Sequence, residues 1–271
     1  RNMKNAKNDI DVMVVAGDIT NYADEPSLAY YYELITEYSP VPVITAAGNH
    51  DIGHVGDRDV TNITREEALA NVIKYSNEYL GTEHTTNYYS MDVEGFKFIV
   101  LGDEVIDGGH WDAMDMTPEQ IAFLDSELAE ATKDGTPAFV ICHWPVDGIN
   151  GQDIIYPDSP IDLTVNDIKS VMEKYENVVF FNGHSHWAYA MQEINPQLNI
   201  TDHNGTYATM VHLSSVSSPR TTKIDSDDTD ENYMRKSEGM IVTVYEDRIV
   251  FTACDFLRGQ LLAYATYVVE K

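Results

Sequence analysis

A chain of 271 residues with 43% hydrophobic side chains is long enough for one large domain or two small ones and for a sizeable core. Its 45 acidic against 17 basic residues give a formal net charge of −28, which excludes nucleic acid and anionic membranes as partners drawn in by long-range attraction. No apolar run approaches the roughly 18 residues of a spanning helix, so no transmembrane segment is expected.

Taken in chain order, apolar runs alternate with helical stretches. IDVMVVAGD (Ile10 to Asp18) is a short apolar run closed by Gly-Asp, and a helix is expected from about Glu25 to Tyr38. VPVITAAGNHD (Val41 to Asp51) is a second apolar run closed by glycine. Thr64-Arg-Glu-Glu67 is a capping box that opens a helix reaching about Leu80. YYSMDVEGFKFIVLGD reads as two strands joined at Glu94-Gly95. Thr117-Pro118-Glu119-Gln120 opens a further helix, with Thr at the cap, Pro in the first turn and Gln at the reach-back position. AFVICHWP (Ala138 to Pro145) and VVFFNGHSH (Val178 to His186) are the third and fourth apolar runs; Cys142 within the third is a small buried residue.

After His186 the texture changes. Strand-like stretches follow near 207–213, 240–245, 248–253 and 261–269 with no strong helix between them, so antiparallel pairing is expected. The acidic segment SDDTDENY (Ser226 to Tyr233) reads as an exposed loop. N-x-T sequons stand at Asn62, Asn199 and Asn204. With no repeat and no linker, a single domain over 1–271 is expected.

Each of the four apolar runs ends in polar chemistry: Gly17-Asp18, Gly48-Asn49-His50-Asp51, His143-Trp144-Pro145 and Gly183-His184-Ser185-His186. Ligands of α/β folds bind beyond the carboxyl ends of strands, so adjacent strands would pool these residues. In extended chain alternate side chains point the same way, which sets His184 and His186 toward one spot. Imidazoles mixed with oxygen donors suit Zn, Mn or Fe. Taken singly, each piece has a bland reading as a turn, a cap or a hydrogen-bonded histidine. Together, in this order and always at strand ends, they point to a metal centre.

The pattern GD…GNHD…H…GHSH resembles the calcineurin-like metallophosphoesterases, relatives of purple acid phosphatases and cyclic-nucleotide phosphodiesterases, from Ile10 to about Asp255. The resemblance implies an α/β fold: two mixed β-sheets packed as a sandwich with helices on both outer faces. It implies two metal ions (Mn, Fe or Zn) and hydrolysis of a phosphate mono- or diester by a metal-bridging hydroxide. Asp18 would bridge the metals, Asn49, His143 and His184 would complete the second site, and His186 would serve the first. His50 would be the general acid, steadied by Asp51. The substrate would be a small phosphate ester.

Two departures stand beside the resemblance. The family's first motif, Asp-x-His at the end of an earlier strand, is absent ahead of Gly17, and RNMKNAKND resembles the helix tail that normally follows it. The expectation is an N-terminally truncated domain with an incomplete first metal site. The metal-binding tyrosine of purple acid phosphatases is replaced by Asn21, and the neighbouring Tyr22 reads as a packing aromatic. The loops over 148–162 and 187–220 would rim the pocket, with Trp144, Tyr156 and Trp187 either stacking on substrate or packing the loops, and Arg220 within reach of a distal phosphate. Two other readings compete: a binuclear metallohydrolase of another ester or amide class, and a non-catalytic protein-binding scaffold on the same fold.

Overall fold

A computed structural model describes residues 10–53, 63–104, 114–145, 163–190, 200–201, 208–220 and 235–271. Strands β1 (Met13–Val15) and β2 (Val43–Thr45) pair in parallel. A mixed six-stranded sheet contains β3 (Tyr89–Val93), β4 (Phe96–Val100), β5 (Ala138–Ile141), β6 (Val178–Asn182), β7 (Ile200–Thr201) and β8 (Thr209–His212), in the order β3-β4-β5-β6-β8-β7. An antiparallel three-stranded sheet contains β9 (Glu238–Val244), β10 (Arg248–Asp255) and β11 (Gln260–Glu270), with β10 central. The helices are α1 (Glu25–Tyr38), α2 (Arg65–Leu80), α3 (Pro118–Ala131) and α4 (Leu163–Met172).

Side-chain alternation along the strands divides the core into layers. On the inner face of the large sheet, Phe98, Val100, Phe139, Ile141, Val179, Phe181 and Val211 meet Ile44 and Ala46 from β2 and its extension, and Ile249 and Phe251 of β10. Phe139 stacks between Phe98 and Phe181, with ring centroids 5.1 and 6.0 Å away. On its outer face, Ile99, Val140, Val178, Phe180 and Met210 join Leu124 and Leu128 of α3 and Ile168, Val171 and Met172 of α4. Met13, Val15 and Val43 point the other way, toward Leu28, Tyr32 and Ile35 of α1 and Val72 of α2. The layers stack as the family resemblance implied, sheet against sheet with helices outside, but among the described residues the second layer is divided into the parallel pair β1–β2 and the antiparallel sheet β9–β11. Helical cover of the second layer lies over β1 and β2, while Ile241, Tyr264 and Val268 on β9 and β11 stay exposed.

The helix starts follow their capping chemistry. Asp24 accepts from the Ser27 N–H, and Thr64 and Glu67 exchange the reciprocal bonds of a capping box. At α3 the expected reach-back by Gln120 does not occur. Its fully buried amide instead bonds Gly102 on both sides and donates to Glu104. Glu104 accepts the Thr117 N–H at 2.6 Å and so completes the cap from the end of β4. An ionised acceptor makes the stronger bond, and it ties α3 to the strand it covers.

The stretch after His186 also differs from expectation. β9, β10 and β11 are antiparallel, but β8 runs parallel to β6, with Asn182 opposite His212. The intervening chain is long enough for a crossover, which a parallel neighbour requires and a hairpin does not. The short strand β7 and helix α4 were not foreseen. The acidic segment 226–233, the loop 148–162 with Tyr156, and the three sequon asparagines lie outside the described residues.

Candidate metal centre

The four glycine-bearing or histidine-bearing strand ends meet at one edge of the sandwich. β1 and β2 stay in register past their ends through the Ala46 N–H to Val15 carbonyl bond, 2.9 Å, and β5 and β6 do so through Gly183 N–H to the His143 carbonyl, 2.9 Å. The two layers are then stitched together: His143 Nδ1 lies 2.6 Å from the Ala16 carbonyl oxygen. Glycine makes this approach possible. A Cβ on Gly17, whose φ is +92°, would sit 2.6 Å from the Gly48 nitrogen, and a Cβ on Gly48 would sit 2.2 Å from Asp18 Oδ1.

A carbonyl oxygen only accepts, so His143 Nδ1 carries a proton and Nε2 is the ring nitrogen that would face a cation. Around Nε2 stand other polar atoms. Asn49 Oδ1 is 3.1 Å from it, His184 Nδ1 3.2 Å and Asp18 Oδ2 3.3 Å, and Asn49 Oδ1 is also 3.1 Å from His184 Nδ1. Donor atoms about 2.1 Å from one cation stand roughly 3.0 Å apart in a cis octahedral pair and roughly 3.4 Å apart in a tetrahedral one. The observed spacings fall in that window. Protons can satisfy only some of these contacts, whereas one cation satisfies all of them. His186 Nδ1 is buried without a hydrogen-bond partner, and its Nε2 lies 4.0 Å from Asp18 Oδ2. The residues therefore fit a metal centre. Among the described residues no group of three or more His, Cys, Asp and Glu side chains is by itself arranged to hold a metal ion, and the spacings above include the Asn49 oxygen.

Electrostatics favours the ligating form of three donors, Asp18, His184 and His186. Burial acts to raise the Asp18 pKa, but the charge and hydrogen bond of His143 and the hydrogen bond of His186 hold it well below the carboxylate range. Burial, helped by His143, pushes His184 well below its ordinary value, and burial lowers His186. Neutral imidazoles and an ionised carboxylate are the states that bind cations. For His143, burial favours the neutral ring, yet the Asp18 carboxylate outweighs it and raises the pKa. A metal ion would take the place of that proton.

His50 lies beside the cluster on the short 3-10 turn His50–Ile52. Its backbone N–H donates to Asp18 Oδ1 at 3.2 Å, and its Nδ1 is 2.9 Å from the Asn21 carbonyl oxygen. Asp51 does not steady this ring. Its Oδ1 accepts from the Thr20 N–H and hydroxyl at 2.8 and 3.0 Å, and its Oδ2 from the Gly48 N–H at 2.8 Å. Burial and the Asp18 charge push it up to about 6. The carboxylate fastens the loop after β1 to the turn after β2, because three otherwise orphaned donors need a buried acceptor. Nothing in the sequence flagged Asn21 as the group that orients His50, since a backbone carbonyl leaves no residue-type signal. Trp144 is 2% exposed and Trp187 5%, both packing aromatics, while Tyr22 is solvent-facing.

Two measurements check this arrangement. Asp51→Ala leaves buried donors unpaired and is expected to cost about 3 kcal/mol, from roughly 1–3 kcal/mol per orphaned group, read by urea denaturation. Gly48→Ala drives a methyl into Asp18 and is expected to weaken metal binding at least about tenfold, read by calorimetric titration.

The calcineurin-like phosphoesterase family model matches residues 2–188. No curated protein sequence matches the chain. A purple acid phosphatase, PPD1, from yellow lupin (Lupinus luteus) seeds shares the fold with a TM-score of 0.62 at 14% identity, covering 98% of this chain and 47% of the lupin chain. This chain thus spans about half the length of that enzyme. A dimetal phosphatase from Danio rerio superposes with a TM-score of 0.59 at 12% identity, covering 99% of this chain and 86% of the fish protein. At such identities the likeness speaks for the fold, and the matched model, spanning every strand end at the cluster, speaks for descent: the chain belongs to the calcineurin-like phosphoesterase family.

Proposed function

We propose that the chain is a metal-dependent hydrolase of a phosphate mono- or diester, with Asp18, Asn49, His143, His184 and His186 as metal ligands and His50 as the acid for the leaving group. The observation that carries this reading is the convergence of Asn49 Oδ1, His143 Nε2 and His184 Nδ1 at 3.1–3.2 Å around the side of Asp18. When bound, the ions lower the pKa of a coordinated water and neutralise phosphate charge. The nitrogen and oxygen donor set supports Zn, Mn or Fe.

The protein groups divide the remaining work. Asp18 Oδ2 stands between His143 and His186, at 3.3 and 4.0 Å, so the carboxylate faces both ligand sets and is suited to bridge them. With its Nδ1 donating to Asn21, His50 keeps Nε2 for a proton handed to the departing oxygen. Asp51 acts at one remove, by fixing the loops that carry Asp18 and His50. Electrostatics supports local cations too: a chain at −28 holds an anionic ester only where positive charge overrides the global field. The shared inter-sheet core supports reading the chain as one catalytic domain.

His50→Ala is expected to slow esters with poor leaving groups by about 10²–10⁴-fold and to affect p-nitrophenyl phosphate far less, since a good leaving group needs little protonation. Equal losses on both would remove His50 from the acid role. Turnover of amides in place of phosphate esters would redirect the whole reading to another metallohydrolase class.

A second expectation concerns stoichiometry. Asp18, Asn49, His143 and His184 offer four donors to one ion, whereas among the described residues Asp18 and His186 are the pair on the other side. Metal analysis of the 271-residue chain after dialysis is expected to find about one equivalent held tightly, because sites of this kind need three or more protein ligands. Two tightly held equivalents would show that further ligands exist.

A further inference from the structure

The turn that carries the paired histidines is an unusual piece of backbone. His184 and His186 both have positive φ, 67° and 60°, a region that ordinary L-residues avoid. Such strain persists only where surrounding contacts over-determine it. The Gly183 N–H to His143 carbonyl bond fixes the entrance to the turn. The residue between the histidines supplies the rest.

Ser185 is buried, and its hydroxyl oxygen lies 2.5 Å from His212 Nε2. His212 is fully buried at the end of β8, the strand parallel to β6. Burial, reinforced by His186, holds its pKa down to about 3, so the ring is neutral. Its Nδ1 accepts the Ser214 N–H at 3.0 Å, which leaves the proton on Nε2 for donation to Ser185. Ser214 itself has a φ of 58°, and its hydroxyl donates to Glu238 Oε2 at 2.9 Å. The same carboxylate oxygen accepts the Tyr189 N–H at 2.8 Å, three residues beyond His186, and Lys236 neutralises the other oxygen at 3.3 Å. Glu238 is fully buried at the start of β9. A continuous polar chain thus runs from the histidine turn, through β8, into the three-stranded sheet, and returns to the backbone after the turn.

We propose that Ser185 and His212, backed by Ser214 and Glu238, are positioning residues that hold His184 and His186 in the left-handed geometry a metal centre needs. The proposal rests on the reading of the cluster as a metal site. None of the four touches substrate or reacting atoms. Their effect passes through the backbone between the two histidines, which is left-handed at both residues and not the extended chain that the alternate spacing suggested.

The test is titration of the metal-free full chain with Zn(II) and with Co(II), whose visible spectrum reports coordination geometry. Ser185→Ala removes the acceptor for His212. It is expected to weaken binding about 10–100-fold, the usual loss when a group supporting metal ligands is removed. The Co(II) band should shift in shape as well as intensity. Ser185→Thr, which keeps the hydroxyl, should restore both affinity and spectrum, an outcome that general destabilisation would not give. Ser214→Ala lies further from the ligands and leaves the Ser185–His212 bond in place. It should lower affinity by about threefold, and it serves as the second variant if Ser185→Ala does not fold. Affinity and spectrum unchanged in a folded Ser185→Ala protein, or unchanged in Ser214→Ala should the former not fold, would overturn the brace and leave the metal reading intact. Wild-type protein that takes up neither ion would overturn the metal reading, and the brace with it.

Discussion

Crowding of polar side-chain atoms at one largely buried edge is the constraint on which this molecule turns. Asn49 Oδ1, His143 Nε2, His184 Nδ1 and Asp18 Oδ2 stand 3.1–3.3 Å from one another in the pairs that touch. Desolvated polar groups brought this close are held together by the framework around them. Two sheets supply it, each contributing strand ends that glycines allow to touch. The Ala16–His143 bond then joins one layer to the other at this cluster. A cation seated among these atoms would relieve the crowding, the ordinary relation between a structural framework and a metal centre.

Polar groups behind the cluster fall into two sets with separate duties. Thr20, Asn21 and Asp51 bind the loops after β1 and β2 to each other. Ser185, His212, Ser214 and Glu238 bind the histidine turn to β8 and β9. The first set is local to the two-stranded unit. The second reaches from the six-stranded sheet to the antiparallel one, so the C-terminal strands are tied by hydrogen bonds to the backbone around His184 and His186. Buried networks of this kind are costly when half satisfied and specifying when complete.

Much of this was legible in the sequence because it depends on local pattern. Capped helices announce themselves within four residues, and Glu25–Tyr38 runs where the pattern places it. Apolar runs closed by glycine and a polar cluster mark strand ends directed at ligands, and the six polar positions named there, Asp18, Asn49, His50, His143, His184 and His186, do come together. What stayed hidden depends on partners far along the chain. Gln120 sits where a capping box would use it, but Gly102 and Glu104, brought close only by the fold, compete successfully for its amide. Asp51 stands next to His50 in sequence and points to Thr20 in space, because adjacent residues on a tight turn face different ways. His212 gave no signal, since a histidine in an apolar strand looks the same whether it fills space or orients a neighbour. The parallel pairing of β8 was masked because the connecting sequence carries no strong helical pattern, the usual mark of a crossover.

The anchoring of His50 has a geometric side. Its backbone N–H and its ring are both fastened to the loop that carries Asp18, and Asp51 fastens that loop to the turn carrying His50. The His50 ring and the Asp18 carboxylate are therefore fastened to one another through a single set of loop contacts. The separation of the ring from Asp18 is thus set by bonds among the loops after β1 and β2, the same unit that carries both groups, and the Ala16–His143 bond seats that unit against the end of β5.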